Sequence, residues 1–210
     1  MTAPLILLLT LAAAASNADP LDTALARYRT VASYRVTLHS HSTDSAETIE
    51  YFYKRPGFVR MEFIKPHKGA VLVYNPVRKE AKLKPFGFIK PLVLTLDPDN
   101  PLIISSRGHR VDASDIGKLL ETAKELRNKG KISAKEFAGA EGQNWVIVDI
   151  EGDAGVTVAG SVHRCVFWLD AQTYLPSRTI TYDERGALVE DVTLDNLVLD
   201  VSLSDSFFEL

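Results

Sequence analysis

"YFYKRPGFVRMEFIKP", residues 51–66, alternates apolar and polar side chains on both sides of an Arg-Pro-Gly step. Tyr51 and Tyr53 share a face before the step, and Met61 and Phe63 share one after it. A period of two marks strands, and so short a connection suits antiparallel neighbours, since a parallel return needs roughly a dozen residues or more. The same grammar runs outward. Upstream, "YRVTLHSHS" sets Tyr34, Val36 and Leu38 on one face, and "TIEYFYK" sets Ile49 beside Tyr51 and Tyr53. Downstream, "AVLVY" follows a "KPHKG" breaker and ends at "NP". These runs predict a meander.

Helical spacing frames the strands. "DPLDTALARYRTVASY" repeats Leu21, Ala24, Leu25, Tyr28, Val31 and Ala32 at helical intervals, with Asp19 placed to cap and Pro20 in the first turn. "DASDIGKLLETAKELRNKG" predicts a second helix whose apolar stripe is Ile116, Leu119, Leu120, Ala123 and Leu126; Asp112 and Asp115 read as cap and early-turn carboxylates. The oily segment before it is broken by Pro85, Pro91, Pro98 and Pro101, with Asn100 placed to cap a short helix that ends at Gly108. Such a segment must cover something apolar, as a lid does. Strand patterns return in "NWVIVDIEG", "HRCVFWLD", "PSRTITYD" and "ALVEDVTLDNLVLD", with "DERG" turning at Gly186. The order of helix, strands, helices and strands predicts an α+β fold, one antiparallel sheet with helices on one face.

Composition narrows the function classes. A chain of 210 residues with 46% apolar and 24% charged residues is large enough to form one domain that buries roughly 70% of its unfolded surface. A net charge of −3 without a basic stripe excludes a nucleic-acid footprint. "LILLLTLAAAA", residues 5–15, is too short to span a bilayer and ends in small residues, the pattern of a secretory signal cleaved after Ala15 or Ala18. The expected organisation is therefore a signal peptide over 1–18 and a single exported domain over 19–210; a buried N-terminal helix is the alternative. Cys165 is the only cysteine, so no intramolecular disulfide forms, and no cysteine follows the apolar run to carry a lipid. Sharing a strand face with Phe167 and Leu169, Cys165 reads as a small buried hydrophobe rather than a reactive thiol.

Catalytic patterns are thin. The chain has no G-x-S-x-G elbow, no Gly-rich phosphate loop and no H-E-x-x-H, so neither an enzyme activity nor a cofactor is expected. His39 and His41 stand on one strand face, but Arg35 and Thr37 share it and it lies opposite the apolar face, which reads as solvated surface. "DPDN", with Asp97 and Asp99, lacks the glycine and distal glutamate of a calcium loop. No metal is assigned.

"YKRPGFVRMEFIKP" followed by "VLVYNP" resembles the central hairpin of the LolA/LolB-like periplasmic lipoprotein carriers, where an Arg-Pro step joins two strands and the next strand ends in a Tyr-Asn-Pro pattern. "FWLDAQTYLPSRTITYDERGALVEDVTLDNLVL" and the closing "DSFFEL" are also similar to that family, so the resemblance spans nearly the whole chain after residue 18. It implies a strongly curved antiparallel sheet, a half-open barrel capped by helices, around an apolar cavity for acyl chains. The family arginine at the cavity mouth, which contacts the lid, matches Arg55. A guanidinium offers five donors in a fixed fork, enough to hold lid carbonyls or to exchange them for polar ligand groups. An exposed turn arginine is the alternative, and Arg60 is a lesser candidate.

The wall would be drawn from Val36, Leu38, Ile49, Tyr51, Tyr53, Met61 and Phe63, with Trp168, Ile180 and Tyr182 from the far side. Periodicity identifies this buried face without saying whether side chains or lipid fill it. Two departures leave the cargo open: "KPHKG" stands where the family often has an Asp-Gly turn, and residues 85–101 are longer and richer in proline. The function implied is a soluble, monomeric periplasmic carrier that binds the acyl chains of a lipoprotein or lipid and hands them to another envelope component. A lipid or lipoprotein sensor acting on a partner protein is the second reading, and an enzyme of unknown chemistry the third.

Overall fold

The computed structural model describes residues 19–85, 92–105 and 107–210. The expected signal peptide lies outside them, as do Phe86, Phe88, Ile89 and Pro91 of the expected lid. Among the described residues eleven strands form one antiparallel, curved and unclosed sheet. In chain order they are β1 (Ser33–His41), β2 (Ala46–Lys54), β3 (Phe58–Lys65), β4 (Val71–Asn75), β5 (Glu80–Lys84), β6 (Leu94–Leu96), β7 (Gly130–Ala138), β8 (Asn144–Gly152), β9 (Arg164–Asp170), β10 (Pro176–Tyr182) and β11 (Leu188–Leu199). Their spatial order is β6-β5-β4-β3-β2-β1-β11-β10-β9-β8-β7, so two meanders join where the last strand pairs with the first. Tyr34 faces Tyr53 across β1 and β2, and Tyr53 faces Val59 across the hairpin. Register shifts between β1 and β11, β2 and β3, β9 and β10, and β10 and β11 bend the strands. At one of them Asn196 takes a left-handed φ of 56°, a conformation its short amide tolerates.

Two α-helices among the described residues cover the inner face. The first, α1 (Pro20–Tyr28), is capped by the Asp19 carboxylate, which accepts from Leu21 N at 2.8 Å. The second, α2 (Ile116–Arg127), is capped by Asp115, which accepts from Gly117 N at 2.8 Å. Gly117 lets the helices close on each other: a Cβ there would meet the Tyr28 ring at 2.2 Å. Lys124 and Arg127 of α2 pair with Asp19 and Asp22 of α1, and their hydrogen bonds hold the Asp22 carboxyl below its ordinary range. Leu120, Leu126, Val148, Ile150, Phe167 and Leu169 are wholly buried beneath.

One expectation changes. Asn100 initiates only a turn, its side chain accepting from Leu102 N at 3.0 Å, and among the described residues no helix follows before Val111. Strand β5 alternates, with Ala81 and Leu83 between Glu80, Lys82 and Lys84, and β6 has only three residues, Leu94–Leu96; β7 carries no clear alternation. In β7 every residue after Gly130 is exposed, so the edge strand has no buried face to write a pattern.

Candidate functional site

The inner face is only partly filled. Between β1–β5 and β9–β11 on one side, and α2 with residues 102–105 and 107–115 on the other, lies an open cavity of about 1160 Å³. Val36, Leu38, Ile49, Tyr51, Met61 and Phe63 all stand in its wall, as the period of two in "YRVTLHSHS" and the opening hairpin requires. Leu102, Ile103 and Ile104 of the proline-rich segment reach into it, and Ile116, Leu119 and Ala123 contribute the helical side.

The remaining predicted residues are elsewhere. Trp168, Ile180 and Tyr182 belong to the outer face; the far wall is made by Cys165, Thr179, Thr181, Val192 and Leu194. The reason is a parity conflict in "PSRTITYD", whose apolar residues point outward while its threonines point in. Outside, the Arg178 guanidinium lies 5.1 Å over the Trp168 ring and that of Arg164 lies 5.5 Å over Tyr182, so cations cover these half-buried aromatics. Tyr53 is on the inner face but beyond the cavity, stacked on Tyr34 with ring centres 5.1 Å apart.

Arg55 does not line the cavity either. Its Nε donates to Val31 O at 2.7 Å and its Nη2 to Tyr28 O at 2.9 Å, with the guanidinium 5.5 Å over the Tyr28 ring. The Tyr28 carbonyl at the end of α1, which also accepts from Val31 N at 3.0 Å, and the Val31 carbonyl just beyond it hold the cation, which therefore fixes that helix rather than the loop over the cavity. A separate recess of about 300 Å³ lies beside it, lined by Tyr28, Tyr53, Asp115 and Lys118. Arg60 is an outer-face residue: it pairs with Glu62 at 2.7 Å and donates to Phe207 O at 2.9 Å. His39 sits 3.4 Å from Asp195. Among the described residues no group of three or more His, Cys, Asp or Glu is placed to hold a metal ion.

Tyrosines close one end of the cavity. Tyr28 donates to Asp115 Oδ1 at 2.6 Å, Tyr34 Oη accepts from Ile116 N at 3.2 Å, and Tyr51 Oη lies 3.1 Å from Ser114 Oγ. Burial pushes the phenols of Tyr28, Tyr34 and Tyr51 far above their ordinary range, so they remain neutral. The Cys165 thiol is likewise pushed up to about 12 by burial, which leaves it without thiolate to react.

The opposite end is charged, and no sequence signal singled it out. Arg107 and Glu190 have side chains only 10% and 12% exposed, with Arg107 Nε 2.8 Å from Glu190 Oε1. The Nε–H is not directed at that oxygen and makes no hydrogen bond. The other guanidinium nitrogens donate to Ser40 Oγ at 2.8 Å and Ser45 Oγ at 3.0 Å, and Glu47 lies 3.6 Å away. Ser40 donates to Glu190 at 2.6 Å, and His109 Nε2 lies 3.0 Å from its second oxygen. Burial raises the Glu190 carboxyl, but the bonds from His109 and Ser40 and the Arg107 charge bring it below the ordinary value.

A family model described as a protein of unknown function, DUF1571, matches residues 26–210. The chain belongs to the DUF1571 family. No curated protein matches it. A conserved protein of Thermus thermophilus is similar in structure at 12% identity and a TM-score of 0.56, with 91% of each chain covered. The Mycobacterium tuberculosis lipoprotein LppX is 9% identical at a TM-score of 0.52, covering 88% of this DUF1571 chain and 95% of its own. MucB of Pseudomonas aeruginosa, solved with MucA, is 16% identical at a TM-score of 0.50; the match covers 91% of this chain and 60% of that one. The DUF1571 chain shares its fold with these three proteins. No helix among the described residues is long and apolar enough to cross a membrane.

Proposed function

We propose that this protein is an exported periplasmic carrier that shelters the acyl chains of a lipid or lipoprotein in the inner-face cavity and delivers them within the cell envelope. The observation that carries the reading is the cavity itself, a volume of about 1160 Å³ left open against Val36, Leu38, Ile49, Met61 and Phe63 in a LolA-like sheet. Burying each methylene contributes about 0.8 kcal/mol, so a short length of chain offsets the work of displacing the segment around Leu102 and Ile103. Transfer then needs no bond chemistry, only a closed and an opened arrangement of similar free energy. Arg55 acts indirectly, by holding the end of α1 where the helices meet.

Two measurements test this. Organic extraction of protein purified from an envelope fraction is expected to release lipid in stoichiometric amount; well-folded protein without it contradicts the reading. Transfer of a fluorescent acyl lipid between vesicle populations is expected to accelerate with protein added. The second reading, a sensor that passes a ligand signal to a partner protein, draws support from the fold shared with MucB, which was solved bound to MucA. Ligand that binds but is never handed over favours that reading.

A further inference from the structure

The charged end of the cavity is a diagonal row across four strands. Thr181 pairs with Glu190 between β10 and β11, and Ser40 pairs with Glu47 between β1 and β2; Ser40 stands opposite Val192 on β11, and its hydroxyl reaches diagonally to Glu190 to join the two pairs. Two positions farther in on β1, β2 and β11 stand Leu38, Ile49 and Val192, so the wall turns from charged to apolar within one pleat. Arg107 crosses over the row, nine-tenths buried, with its Nε–H unmatched. One guanidinium thus faces two carboxylates. Another anion placed there would meet Glu47 and Glu190 at short range in a site poorly screened by water. A neutral ester adds acceptors for the remaining guanidinium N–H groups without adding charge, and glyceryl hydroxyls add donors for the carboxylates.

We infer that Ser40, Glu47, Arg107 and Glu190 form a head-group subsite that takes an uncharged, ester-linked or glyceryl head and rejects a free carboxylate or phosphate. The ligand then lies with its head at this end and its tail towards Tyr34, six residues along β1, a span of roughly 20 Å. The inference rests on the acyl-chain reading above and adds the chemistry and direction of the bound molecule.

Fluorescence titration at pH 8.5 with cis-parinaric acid and with its methyl ester compares one chain with and without a charged head. The protein is expected to bind the ester about tenfold more tightly, and Glu47→Gln to narrow that ratio to about threefold or less by gaining affinity for the acid. Glu47 is the residue to change because it is more exposed, and its loss leaves the Arg107–Glu190 pair in place. His39→Gln, on the outer face, is expected to leave the ratio as it was. Equal affinities for the two probes, or a ratio that Glu47→Gln does not move, overturns the subsite while the acyl cavity stands. Failure of both probes to bind overturns the subsite and the carrier reading together.

Discussion

The two ends of the inner face are made by the same strands and reach opposite solutions. Towards α1, Tyr34 and Tyr51 stack at 5.9 Å, their hydroxyls meet the start of α2, and buried rings fill the inner face except for the small recess beside Arg55. Towards the Arg107 end, the inward positions of the same strands hold Ser40 and Glu47, and a loop rather than a helix lies above them. An alternating strand buries one face whatever covers it. Whether that face becomes core or container is decided by what lies across from it: rings and a helix at one end, irregular backbone at the other.

Substitutions sharpen this contrast, in order of expected effect. Tyr34→Ala removes a fully buried ring from the packed end and is expected to cost about 3–5 kcal/mol in denaturant unfolding. Tyr34→Phe keeps the ring but strips the Ile116 N–H of its acceptor, for a loss of about 1–3 kcal/mol. Leu38→Ala, on the open wall, enlarges a space that already exists, so about 1 kcal/mol or less is expected, together with weaker binding of an acyl probe. If Leu38→Ala costs as much as Tyr34→Ala, the two ends are equally packed and the contrast fails.

The smallest effect concerns acid. The Glu190 carboxyl is held below its ordinary value of 4.5, so its contribution to stability is full above that pH and is lost as pH falls through the lower folded value. Unfolding free energies of the parent and Glu190→Gln are expected to differ at pH 7 and to converge towards pH 3. A constant difference across that range would show that Glu190 gains nothing from its partners.

The near wall was legible because β1, β2 and β3 keep strict parity and their apolar face is the inner one. Val36, Leu38, Ile49, Tyr51, Met61 and Phe63 follow from counting by two. The far wall was not, because β10 places Thr179 and Thr181 inside and Ile180 and Tyr182 outside, and hydropathy there points the wrong way. Cys165 held the missing information. It shares a face with Phe167 and Leu169, which already assigns Trp168 to the opposite side. Glu47 and Glu190 lie in register with Ile49 and Val192, so extending each apolar face by one residue finds them. Arg107 sits in irregular backbone, where no period exists to read.

The central claim is that an acyl chain occupies the inner face between Tyr34 and the Arg107 end. It is tested most directly by photo-crosslinking a monoacylglycerol with a diazirine at mid-chain and mapping the adducts by mass spectrometry. Adducts are predicted on Leu38, Ile49, Met61 and Leu194; adducts on Trp168, Ile180 or Tyr182 instead, or none above an unfolded control, would contradict it.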